Sequence, residues 1–143
     1  MSEASSVTVD PAALTSGADH PYFAGLMEGE IRLQSCEGCG KHHWPAVFHC
    51  PDCGSWDHNW SPVSPEGTIY SWTRTWHSFG GLDAFNAPFV SVVVTLSQVP
   101  SVRLLGLLQG DEEGLAIGAP VSGAVHSVEF QGRTIPALSW SLV

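Results

Sequence analysis

A chain of 143 residues has room for a real core, since about 70% of the surface of an unfolded chain this long is buried on folding, and a metal need not be its only stabiliser. Five Lys and Arg stand against fourteen Asp and Glu, a formal charge of −9, and the cations Arg32, Lys41, Arg74, Arg103 and Arg133 are scattered along the chain. Phosphate backbones are bound by clustered cations that release counterions, so nucleic acid is not expected as a partner.

Residues 1–18 are rich in Ser, Ala and Thr without sustained periodicity and read as a flexible tail. Met1 to Asp10 lacks the basic and apolar regions of a signal peptide. No apolar run reaches membrane-spanning length, so no membrane association and a cytosolic location are expected.

From Asp19 the pattern changes. Asp19 or His20 can cap a helix that carries Pro21 in its first turn and ends at Gly29, with Tyr22, Phe23, Leu26 and Met27 on one apolar stripe. A helix this short is marginal alone, so the stripe packs either on the chain's own barrel or on a partner protein. Glu30 to Gln34 reads as a strand leading into the cysteines.

The four cysteines form two knuckles, Cys36-Glu-Gly-Cys39 and Cys50-Pro-Asp-Cys53, separated by ten residues and each followed by glycine, Gly40 and Gly54. In a reducing compartment this pattern indicates metal rather than disulfides. Each knuckle brings two thiolates onto one ion, and two knuckles complete a closed tetrahedral shell, which makes the site structural: one zinc per chain on Cys36, Cys39, Cys50 and Cys53. Iron competes for the same four sulfurs, as in rubredoxin-type electron carriers. His42, His43 and His49 lie between the knuckles and could each replace a cysteine, but four cysteines already fill the shell, so they read as solvated loop histidines. Trp44, Trp56 and Trp60 flank the knuckles and are expected to pack over the ribbon and against the barrel.

Ser61 to Gly67 holds two prolines and a glycine and marks a module boundary, giving a helix and ribbon over 19–60 and a barrel over 61–143. Five β-like stretches follow: Thr68–Trp76, Phe89–Leu96, Val102–Leu108, Val121–Phe130 and Thr134–Leu142. In the first, Tyr70, Trp72, Arg74 and Trp76 alternate with Ile69, Ser71, Thr73 and Thr75. The fold class is thus mainly β: a short N-terminal helix, a four-cysteine zinc ribbon and a five-stranded barrel of the oligonucleotide/oligosaccharide-binding (OB) type. Only 13% of the residues are charged, about half the usual share. Between Trp60 and Gly110 charge is confined to Glu66, Arg74, Asp83 and Arg103. Either another protein covers part of that face or its surface is neutral Ser, Thr and Gln.

The order of Pro21-Tyr22-Phe23, Cys36-x-x-Cys39-Gly40, Cys50-Pro51-x-Cys53-Gly54-Ser55 and Gly67-Thr68-Ile69-Tyr70-Ser71-Trp72-Thr73, continued by Pro88-Phe89-Val90, Arg103-Leu104-Leu105-Gly106 and Ile117-Gly118-Ala119-Pro120-Val121, resembles the domain-of-unknown-function thirty-five family across residues 20–140. That resemblance implies a rubredoxin-like zinc ribbon joined to an OB-fold barrel. It also implies a non-catalytic accessory subunit of a thiolase-like enzyme, either an aldolase cleaving a β-hydroxyacyl-CoA of the steroid side-chain type or a thiolase. The expected assembly is a hetero-oligomer with two copies of each chain, with acyl-CoA at or near the interface. Tyr22 and Phe23 of the helix, and Trp76, His77, Phe79 and Phe85 of the loop 77–85, are the candidate partner or acyl-CoA contacts; the loop could equally fold over its own barrel. The alternative is a single-stranded nucleic-acid binder, for which the most aromatic strand offers only Arg74 as a cation. A chain that is itself an enzyme would have Asp83, His77 or His126 as acid–base groups, but no nucleophile–base–orienter set, GxSxG elbow or HExxH helix is present.

Overall fold

The computed structural model describes residues 17–80, 86–130 and 132–143. Helix α1 (His20–Met27) opens at Asp19, whose carbonyl rather than side chain accepts the amides of Tyr22 and Phe23 at 3.0 and 3.3 Å. It closes in a Schellman turn: Gly29 N–H donates to the Leu26 carbonyl (2.9 Å) and Glu30 N–H to that of Gly25 (3.0 Å), with Gly29 at φ 80°. Eight residues cannot hold a helix by propensity. Burial of Tyr22 and Leu26 holds this one, and Arg32 of the next strand ion-pairs with Glu28 and Glu30.

Strands β1 (Ile31–Cys36), β2 (His42–His43) and β3 (His58–Val63) form a three-stranded antiparallel sheet in the order β2-β1-β3. β1 is longer than its expected span and carries the chain directly to the first thiol. The boundary expected over Ser61–Gly67 is partly strand, because β3 runs through Pro62, opposite Arg32, to Val63. β3 borders only β1, and an edge strand tolerates a residue without an N–H.

The remaining strands, β4 (Glu66–Thr75), β5 (Phe89–Leu96), β6 (Arg103–Leu108), β7 (Pro120–Phe130) and β8 (Arg133–Leu142), fall on the five predicted stretches. They close into a ring, β4-β5-β6-β8-β7 and back to β4. Two of the seams are short: β6 meets β8 in parallel through two residue pairs, and β4 meets β7 through three. The interior holds Ile69, Val90, Val92, Val94, Leu96, Leu104, Val121, Leu138 and Trp140, and the same core runs on into Tyr22, Leu26, Ile31 and Leu33 of the helix and ribbon. Trp140 is fully buried between strands; a Cβ at Gly106 would come within 2.8 Å of its ring and one at Gly123 within 2.9 Å. Glycine there is a matter of space rather than of backbone conformation.

The alternation expected in β4 is broken by a bulge between Ile69 and Ser71. Ile69 sits opposite Val94 and Trp72 opposite Val92, both valines fully buried, so Ile69 and Trp72 share the interior side although their spacing is odd. One inserted residue exchanges the two faces of everything beyond it. Tyr70 is left half-exposed beneath the Arg103 guanidinium, 3.8 Å from its ring centre. Arg74 lies between the rings of Trp72 and Trp76 and ion-pairs with Glu112 of the β6–β7 loop. Among the described residues no helix is long and apolar enough to cross a membrane.

Candidate metal centre and aromatic face

Backbone hydrogen bonds shape each cysteine knuckle. Gly40 N–H donates to the Cys36 carbonyl and Gly54 N–H to the Cys50 carbonyl, both at 2.8 Å, and both glycines take positive φ, 77° and 79°. That conformation strains any residue with a Cβ, which is the reason for a glycine after each knuckle. The turns bring all four Sγ atoms within 4.8 Å of one another. Cys36 and Cys53 lie 3.5 Å apart and Cys39 and Cys50 3.7 Å. Four sulfurs at about 2.3 Å from a tetrahedral zinc sit about 3.8 Å from each other, so the donor set fits the ion.

The electrostatics among the four thiols points the same way. The Cys39 amide, assisted by Cys53 and by the Gly38 amide at 3.3 Å, holds the Cys36 thiol down to about 6. At Cys53 the Ser55 amide pulls downward, but the neighbouring Cys36 sulfur, desolvation, Cys50 and Cys39 outweigh it and push the thiol up to about 12. Cys39 is also raised: the Lys41 amide lowers it, and desolvation with the Cys50 and Cys36 sulfurs prevails. Four sulfurs packed this closely cannot all ionise without a cation among them.

Side chains outside the shell tie the knuckles together. Lys41, just after the first, pairs with Asp52 in the second at 3.1 Å. Gln34 of β1, buried and invisible to a motif search, donates to the Val47 carbonyl at 2.7 Å and accepts the Val47 amide at 3.0 Å, clamping the inter-knuckle loop to the sheet. His58 donates to the Phe48 carbonyl at 2.7 Å. Of the inter-knuckle histidines, His42 is exposed and His49 stacks on Trp56, but His43 is half-buried with Nε2 3.4 Å from Cys50 Sγ. The expectation of three solvated histidines therefore fails at His43, where β2 pairing turns the ring toward the sulfurs.

The aromatic candidates separate. Tyr22 is buried, its ring 4.1 Å from that of Trp44, and burial pushes its phenol up to about 12. It belongs to the helix–ribbon packing, with Phe23 half-buried beside it. Trp76 (73% exposed) and Phe79 (63%) project from the barrel end, with His77 edge-on to Phe79. Phe85 lies outside the described residues. Trp44 and Trp60 pack against the core as expected, but Trp56 is 70% exposed and stacks on the His49 ring, and Phe48 is exposed as well. Spacing could not distinguish Trp56 from Trp44, since both simply flank a knuckle.

Fold and site together define a zinc-ribbon protein with an appended OB-fold barrel, carrying one structural zinc site that these four cysteines would fill. Two family models match in tandem: the ChsH2 rubredoxin-like zinc ribbon domain over residues 23–58 and the ChsH2 C-terminal OB-fold domain over residues 60–126. The chain belongs to this ChsH2 (DUF35) family. Among solved structures it is similar to a chain of an Ltp2–ChsH2(DUF35) aldolase, with TM-score 0.73 and 25% identity over 91% of this chain and 97% of that one. It shares its fold with a DUF35-family protein of unknown function from Sulfolobus solfataricus, with TM-score 0.59 and 20% identity over 90% and 87% of the two chains.

Proposed function

We propose that this chain is a non-catalytic accessory subunit of a thiolase-like aldolase, which it stabilises and whose acyl-CoA site it helps to shape. The observation that carries the reading is the near-complete match, through both ribbon and barrel, to a chain of the Ltp2–ChsH2 aldolase. The substrate class we favour is a β-hydroxyacyl-CoA of the steroid side-chain type, cleaved by the partner. The assembly would hold two copies of each chain, because a dimeric enzyme presents the same patch twice.

The barrel end is the contact surface we favour. Trp76 and Phe79 are large, apolar and exposed, and His77 lies beside them; buried aromatic anchors of this kind dominate interface energies. Phe23 could extend the contact, whereas Tyr22 is already committed to the chain's own core.

The test is co-expression of the tagged chain with a thiolase-like enzyme from the same cytosol, followed by size-exclusion chromatography, metal assay and aldolase assay. A complex with one zinc per accessory chain, and β-hydroxyacyl-CoA cleavage that requires both chains, is the expected result. Trp76→Ala with Phe79→Ala should weaken assembly by more than tenfold while leaving the zinc content unchanged. Cleavage by the isolated chain, or co-elution with single-stranded nucleic acid and no enzyme, would overturn the proposal.

A further inference from the structure

We propose that His43 is a positioning residue of the zinc site, its Nε2–H donating to the Cys50 thiolate. Strand β2 consists of His42 and His43 alone, paired with Ser35 and Gln34 of β1, so the backbone of His43 is fixed relative to the first knuckle. From there the ring spans to the second knuckle, and Nε2 stops 3.4 Å from Cys50 Sγ. Cys50 is the most deeply buried of the four thiols at 1% exposure, so water cannot readily replace this partner. A zinc-bound sulfur carries no proton. The sense of the bond is therefore set by chemistry: nitrogen donates and sulfur accepts.

Four thiolates on a divalent ion leave two negative charges in excess, and N–H donors spread that charge and hold the sulfurs in place. The backbone supplies such a donor at Cys36 through Gly38 N–H, at 3.3 Å. His43 supplies one at Cys50 from a different strand, linking the two halves of the shell. A rival reading makes His43, Cys50 and Asp52 a second cation site, since their ligand atoms also converge. The Asp52 carboxylate, however, is held by Lys41 Nζ at 3.1 Å, and that ammonium occupies the place of a cation.

The experiment uses the full zinc-loaded chain with His43→Phe and His43→Gln. Zinc transfer to a chromogenic chelator should be about tenfold faster in the Phe variant, and Gln, which keeps an N–H, should restore most of the wild-type rate. The sulfur-to-cobalt charge-transfer band of the Co(II)-substituted protein should shift in the Phe variant. In the cadmium-113 form of the unaltered chain, the ring should show a proton on Nε2 with scalar coupling to the metal. Wild-type release from the Phe variant, a Gln variant as fast as Phe, or an unprotonated Nε2 facing Cys50 would each overturn the assignment. The resonance measurement decides the matter even if the Phe variant does not fold.

Discussion

The ribbon and the barrel reach order by different means. The ribbon has three strands, one of only two residues, and its loops are held by a clamp through Gln34, the Lys41–Asp52 pair and the cysteine shell. The barrel has five strands of six to eleven residues around buried valines, leucines and Trp140. Area burial stabilises in proportion to the apolar surface removed from water, and the ribbon strands supply only Ile31 and Leu33 to the fully buried core. A metal–thiolate shell concentrates the same stabilisation at one point. The lesson is that a chain with a common core can still contain a segment whose order depends on a ligand, so that metal supply would control one surface and leave the other unchanged.

Removing the metal should divide the two regions most sharply. In finger peptides structural zinc contributes about 10–16 kcal/mol, so a chelator, or Cys50→Ala, should make the β1–β3 amides exchange rapidly while those of β4–β8 stay protected. Simultaneous loss of both sets would show the regions to be one cooperative unit. The converse is Trp140→Ala, which empties the barrel's largest buried side chain and should cost about 3–5 kcal/mol. Thermal unfolding would register the loss, while the cobalt-substituted ribbon retains its four-sulfur spectrum.

Gln34→Leu sharpens the comparison within the ribbon. It keeps the side-chain volume but orphans the amide and carbonyl of Val47, at about 1–3 kcal/mol for each unsatisfied group. The predicted signature is faster zinc release with the barrel's denaturation midpoint little changed. The smallest effect is at Tyr22, where helix meets ribbon, and it vanishes at neutral pH. Its phenol is raised from 10.0 to about 12 in the folded chain, so between those values the unfolded state has lost a proton that the folded state keeps. Stability is complete below pH 10 and falls as pH rises through this window; Tyr22→Phe should flatten that alkaline limb in a urea-denaturation series.

Periodicity and spacing alone were enough to locate the short helix, the five barrel strands, the paired knuckles and the need for glycine at positions 40 and 54. These are local properties: alternation of side chains, fixed turn geometry and ligands close in sequence. Tertiary structure alone decided which aromatics are spent inside and which remain outside, because Tyr22, Trp44, Trp56 and Trp76 look alike in one dimension and differ only in what packs on them. The bulge at Tyr70 likewise escapes a pattern of strict alternation, since it is set by register against β5. Nothing in the sequence signals that Gln34 meets Val47 or that His43 meets Cys50, because these partners lie across a loop whose path is determined by the sheet and the metal shell rather than by nearby residues.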